Sequence, residues 1–113
     1  MDKELRVDQS QLVDAWQAQL PAVLASSDQA LVKADEADPK SIRIHIDTAG
    51  RQAYSFDFEC VYVDSREVKV SLVDVERDGR SVDERTETIQ ALAQDYTRHI
   101  HECAQALQQI THH

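Results

Sequence analysis

Seven apolar residues near the C-terminus, Ile89, Ala93, Tyr96, Ile100, Cys103, Leu107 and Ile110, recur at steps of four and three. That is the period of one continuous buried stripe on a helix. Ahead of it, Ser81-Val82-Asp83-Glu84 has the form of a capping box. Asp83, Glu84 and Glu87 sit where the positive end of the helix dipole favours carboxylates, while Arg98, His99 and His101 come late, as the negative end favours. Cap, charge and period together predict a helix from about Val82 to Gln109.

Three shorter runs upstream alternate with a period of two, as half-buried strands do. In the first, Ile42, Ile44 and Ile46 share one face and Arg43, His45 and Asp47 the other. In the second, Tyr54, Phe56, Phe58, Cys60 and Tyr62 lie opposite Ser55, Asp57 and Glu59. The third sets Val68, Val70 and Leu72 against Lys69 and Ser71. Beyond Leu72 the phase slips, and a β-bulge or the end of pairing near residue 73 would return both Val73 and Val75 to the inside. Asp47-Thr48-Ala49-Gly50-Arg51 and Asp64-Ser65-Arg66 read as the connecting turns, with Gly50 supplying a positive φ, and Arg77-Asp78-Gly79-Arg80 as the exit turn. Matching apolar faces across the first turn sets Ile46 beside Tyr54, Ile44 beside Phe56 and Ile42 beside Phe58. Arg43 then lies opposite Asp57, and His45 opposite Ser55. Across the second turn, Tyr62 meets Val68, Cys60 meets Val70 and Phe58 meets Leu72.

Toward the N-terminus, Leu12, Trp16 and Leu20 recur every fourth residue, joined by Val13, Val23 and Leu24. With a capping box in Asp8-Gln9-Ser10-Gln11, they predict an amphipathic helix that buries a tryptophan. Pro21 is expected to kink this helix, which continues to about Ala25. Residues 1–7 read as frayed. Ala30-Leu31-Val32 suits either a short edge strand near 30–34 or a helical turn. Asp35, Glu36 and Asp38, closed by Pro39, form an acidic loop.

A sheet with one apolar face needs cover, and two amphipathic helices supply it. The expected fold is a single α+β domain, residues 1–113, built as a two-layer sandwich of order α-β-β-β-α. A three-stranded antiparallel meander, with that possible edge strand, is covered on one face. Trp16, Phe56, Phe58 and Tyr96 belong near the centre of the core. A helix of about 28 residues spans roughly 42 Å, whereas a strand of about eight residues spans only about 27 Å. The last turns, carrying Ile100, Cys103, Leu107 and Ile110, therefore need cover from the kinked first helix or from a second subunit. The latter is the expected cover, a homodimer along this seam, because exposed Leu and Ile stripes rarely stay in water.

Charge changes the picture of partners. The 113 residues hold 21 Asp and Glu against 12 Lys and Arg, a formal charge of -9. A field of that sign repels phosphate backbones, which argues against direct nucleic-acid binding, and it favours a basic protein partner. No apolar stretch approaches the roughly 20 residues that span a bilayer, so no membrane partner is expected. Met1-Asp2-Lys3-Glu4 lacks the apolar core of a secretory signal. A cytoplasmic location is expected, with Cys60 and Cys103 as reduced, buried thiols. Thr111-His112-His113 reads as a tail or a tag remnant.

No motif assigns a chemistry. His99 and Cys103 are spaced for a shared metal on a helix, with Glu102 adjacent, but two ligands do not make a site and Cys103 belongs to the apolar stripe. Cys60 faces inward and His45 outward, so they form no nucleophile pair, and burial raises a thiol's pKa. Asp57 and Glu59 share the outer face with Arg43 and Lys69, which suits cross-strand ion pairs better than acid–base chemistry in a cleft. No catalytic residue, metal or cofactor is expected. The expected function is that of a small acidic, non-enzymatic interaction module of inhibitor, immunity, chaperone or adaptor type. Its surface would be Arg43, His45, Asp57, Glu59 and Lys69. One alternative is a ligand-binding or enzymatic domain with a pocket between helices and sheet, lined by Tyr54, Tyr62 and Tyr96. Another is a homodimeric structural protein with no other partner.

Overall fold

A computed structural model describes residues 7–24, 28–48, 54–77, 80–83 and 85–111. Its elements are α1 (Gln9–Val23), β1 (Gln29–Ala34), β2 (Ser41–Asp47), β3 (Tyr54–Tyr62), β4 (Val68–Arg77), β5 (Arg80–Ser81), α2 (Glu87–Ala106) and α3 (Gln108–Thr111). The five strands form one antiparallel sheet in chain order, with the helices packed on it. This is the α+β two-layer sandwich the patterning predicts, with the possible edge strand present and one short strand added. Residues 29–34 form an edge strand rather than a helical turn. Arg80 and Ser81 pair with Arg77 and Glu76 as a short fifth strand.

The register between β3 and β4 follows the alternation: Tyr62 lies beside Val68, Cys60 beside Val70 and Phe58 beside Leu72. Between β2 and β3 it differs from expectation by two residues. Ile46 lies beside Phe56, Ile44 beside Phe58 and Ile42 beside Cys60. A slip of two leaves every side chain on its own face, so the apolar pattern cannot detect it. The connection sets it instead, and it closes where the Thr48 N–H donates to the Tyr54 carbonyl at 2.9 Å. The turns around Gly50 and Gly79 lie outside the described residues.

The expected bulge falls where the phase slips. Phe58 pairs with Leu72 and Asp57 with Asp74, leaving Val73 as the extra residue. Only one of the two valines returns inside. Val75 is fully buried, whereas Val73 is 46% exposed.

Leu12, Trp16 and Leu20 of α1 meet the inner rows of β2 and β3 and the stripe of α2 in one apolar core. Phe56 lies parallel to Phe58 and packs against Tyr96 with centroids 5.2 Å apart. The Trp16 ring meets Tyr62 edge-on, and its indole N–H donates to the Tyr62 hydroxyl at 3.0 Å, which satisfies the indole's lone donor. Pro21 sits in the last turn of α1, which ends at Val23 rather than Ala25. Asp8 is the N-cap, but no capping box forms, because its carboxylate accepts the Ser10 hydroxyl instead of a backbone N–H.

The long helix is shorter than its stripe. Ser81 is taken by β5, and the Val82 N–H donates to the Val75 carbonyl, so the expected cap at Ser81 does not form. Thr86 caps the helix five residues later, its hydroxyl facing the Ile89 N–H. At Leu107 the helix breaks, with φ -96 and ψ 4, before α3. The 20 residues of α2 span about 30 Å and the 10 of β4 about 33 Å, so the helix does not outreach the sheet. Ile100, Cys103 and Leu107 are buried within the chain, and only Ile110 of the expected seam is exposed, at 42%. The Thr111 hydroxyl donates to the Ser65 carbonyl at 2.9 Å, tying α3 to the β3–β4 turn. Cover for the seam thus comes from the chain itself. Leu107→Ala should lower the unfolding free energy by about 2–5 kcal/mol. The urea midpoint should also be independent of protein concentration, whereas a midpoint that rises with concentration would place a second copy over the seam.

Candidate functional site

The helices leave the other face of the sheet open. Arg43, His45, Asp57, Glu59 and Lys69 all stand on that face, as the alternation requires. Their pairings differ from expectation because of the two-residue register change. Arg43 lies 3.3 Å from Glu59 and 3.6 Å from Asp35, rather than opposite Asp57. His45 takes Asp57 in its place. Lys69 stands opposite Val61. Exposed pairs such as Arg43–Glu59 are worth at most about 1 kcal/mol, so they define charge placement more than stability.

His45 is held between two carboxylates. Its Nδ1 lies 2.7 Å from Asp57 Oδ1 and its Nε2 lies 3.0 Å from Asp47 Oδ1. The Ser55 hydroxyl donates to the same Asp47 oxygen at 2.7 Å. Ionised carboxylates only accept, so the ring satisfies both only as the doubly protonated cation. Partial burial alone would lower its pKa. The hydrogen bond and charge of Asp57, followed by those of Asp47, outweigh that and raise it above 6.5.

The bulge adds a second feature. It turns Asp74 to the outer face opposite Asp57, with Glu76 beside it opposite Ser55. Carboxylate oxygens of Asp57, Asp74 and Glu76 all lie within 4.8 Å of one another. Such oxygens suit a cation, whether a hard metal ion or the head of a lysine or arginine. Alternation alone hides this cluster, because returning both valines to the core leaves Asp74 without a face; with Val73 alone as the extra residue, Asp74 and Glu76 both turn outward.

A groove of about 580 Å³ crosses the same face, with Leu31 and Lys33 on one side and Val73 and Asp74 on the other. Leu31 and Val73 are 47% and 46% exposed, although both are large apolar residues. The remaining candidates do not assemble. His99 pairs with Glu102 at 2.9 Å, while Cys103 is buried and its thiol pushed up to about 12 by desolvation. Cys60 is likewise buried and shifted upward, and both thiols are free. Asp35 and Asp38 accept the N–H groups of Ala37 and Lys40 in their own loop. Tyr54 and Tyr62 stand at opposite ends of β3. The Tyr62 hydroxyl accepts from Trp16, and that of Tyr96 lies 3.1 Å from Thr48 Oγ1 and 3.2 Å from an Asp28 oxygen. Among the described residues no helix is long and apolar enough to cross a membrane.

The raised pKa of His45 has a definite sign in stability. Its contribution is complete below the unfolded value of about 6.5 and is lost as pH rises through the higher folded value. The stability gap between the wild type and His45→Gln should therefore be widest on the mildly acid side and close as pH rises. In an NMR titration Asp57→Asn should bring the ring pKa down, and a gap that does not change with pH would contradict the bridge. No family model, curated protein or solved structure matches this chain.

Proposed function

We propose that the chain is a non-enzymatic interaction module that uses the open face of its sheet to hold a basic segment of another protein. The observation that carries this reading is the carboxylate cluster of Asp57, Asp74 and Glu76 beside a groove with exposed Leu31 and Val73. Like charges directly opposed across strands are unfavourable, and a cation placed among them relieves the repulsion. An arginine or lysine suits the place better than a small ion does. Its aliphatic stem packs on Val73 while its head meets the carboxylates.

Lys33 and Arg43 lie toward the other side of the groove, so the face is polarised and orients what it binds. The net charge of -9 draws a basic partner from a distance and raises the encounter rate. In paired pull-downs, the double variant Asp74→Asn/Glu76→Gln should hold the captured partner about tenfold more weakly than the wild type, and wild-type capture should fall as salt rises. The variant should be no less stable, since it removes repulsion. Equal capture by both baits, unchanged by salt, would sink this reading.

A further inference from the structure

The open face carries unanswered charge of both signs. Lys33 of β1 stands directly opposite Arg43 of β2, and like charges so placed are unfavourable. Arg43 turns to Glu59 and Asp35, and among the described residues no carboxylate pairs with exposed Lys33. Across the sheet, Asp57 of β3 stands opposite Asp74 of β4, with Glu76 beside them. Two like-charge clusters of opposite sign thus lie at the two sides of one groove, which Lys33 and Asp74 both line.

Their separation follows from the register. Lys33 aligns through Arg43 and Glu59 with Ser71, and Leu31 aligns through His45 and Asp57 with Asp74. Asp74 is therefore three strand spacings from β1, about 14 Å, and one outward-facing residue from the row of Lys33, about 7 Å, which makes about 16 Å on the diagonal. Exposed Leu31 and Val73 flank that diagonal near its two ends.

The backbone decides what kind of segment fits. The N–H and C=O groups of β2 and β3 are taken by ladders on both sides. An extended segment laid on this face would leave the backbone groups it turns toward the sheet unpaired, and such segments add at an edge instead. At the β1 edge the Gln17 amide of α1 already donates to the Ala30 carbonyl at 2.9 Å and accepts from the Val32 N–H at 2.8 Å. At the β4 edge the outward groups of Val68, Val70 and Leu72 lie beside Lys69 and Ser71, short of the bulge that turns Asp74 outward. Neither edge brings an extended basic segment to the carboxylates. A helix bonds its own backbone and meets a face with side chains alone.

We propose that the partner lays an amphipathic helix across this face, with an acidic residue for Lys33 and a lysine or arginine about eleven residues away for Asp74 and Glu76. This rests on the reading above that the partner is basic. At 1.5 Å per residue a helix covers about 16 Å in eleven residues, and positions i, i+4, i+7 and i+11 share one side of it. Apolar residues at i+4 and i+7 then meet Leu31 and Val73. Lys33 repels a segment that carries positive charge alone, so the acid distinguishes this partner from any other polycation.

The test uses a blocked, alanine-rich peptide of about 18 residues, with glutamate, two leucines and arginine at those four positions and lysine on its other faces. Binding to the full chain is measured by calorimetry and mapped by amide NMR. Shifts should centre on Leu31, Lys33, Val73 and Asp74 and spare Val68 and Val70, and the peptide should gain helicity. Replacing its glutamate with glutamine should weaken binding about threefold, although the peptide becomes more basic. Lys33→Gln should cost the original peptide the same factor and make the two peptides indistinguishable. A proline between the two leucines should cost about tenfold. Undiminished binding after Lys33→Gln, or by the proline peptide, would overturn the charge-paired helix. The basic-partner reading would still stand if Asp74→Asn/Glu76→Gln released the peptide. Absence of binding by the original peptide overturns the helix as well, and the paired pull-down judges the broader reading separately.

Discussion

A β-strand offers each side chain only two directions, so one residue out of step reverses every assignment beyond it. In this chain that residue is Val73. Phe58 needs Leu72 beside it in the core and Phe56 needs Val75, yet those partners are three residues apart on β4 and two apart on β3. Without an extra residue, Asp74 would take the core position of Val75, and a carboxylate buried without a partner is far more costly than a local kink. The bulge is therefore imposed by packing. The outward positions of Asp74, Glu76 and Val73 follow from it. The composition of the open face is in this sense a consequence of what the core demands.

The same core explains why the two edges differ. α1 lies against β1 and α2, whereas α2 lies against β4. α1 brings Gln17 to the β1 edge, where one side-chain amide satisfies both an outward carbonyl and an outward N–H. Gln9, at the start of the same helix, places its amide within 3.0 Å of the carbonyls of Asp35, Asp38 and Ser41, fixing the β1–β2 loop. Among the described residues, β4 has on that side only the two residues of β5 and the Val82 N–H, at one end. Closure of one side and exposure of the other are thus set by helix placement.

Much of this was legible in the sequence, and the failures share a cause. Period-two runs located β2, β3 and the first half of β4 with correct faces, because half-burial writes itself directly into alternation. The β2–β3 register is legible only to within two residues, since Tyr54 and Phe56 are equally good inner partners for Ile46 and the loop from β2 to β3 makes the choice. The helix start was placed at Val82 because Ser81-Val82-Asp83-Glu84 carries the letters of a cap. Nothing in those letters reveals that Ser81 already stands opposite Glu76 in β5 and that the Val82 N–H is already given to the Val75 carbonyl. Local signals fail where long-range pairing claims the same backbone groups. The outer-face residues Arg43, His45, Asp57, Glu59 and Lys69 were correctly placed, but their pairings depended on the register, and the third carboxylate on the bulge.

Asp57 links these features electrostatically. One of its oxygens is held by His45, and its carboxylate also lies within 4.8 Å of those of Asp74 and Glu76. Asp47, Asp57, Asp74 and Glu76 together with a protonated His45 carry four negative charges and one positive, a local net of three minus. Once His45 loses its proton the local net is four minus, and Asp57 also loses its charge-assisted bond. The imidazolium and any external cation are therefore competing answers to one excess of negative charge, reached from opposite sides of the same carboxylate. The fold tolerates that excess because it lies on an open face where water screens it. A partner that covered the face without supplying a positive charge would lose that screening, so on the proposed reading charge would select the partner more strictly than shape.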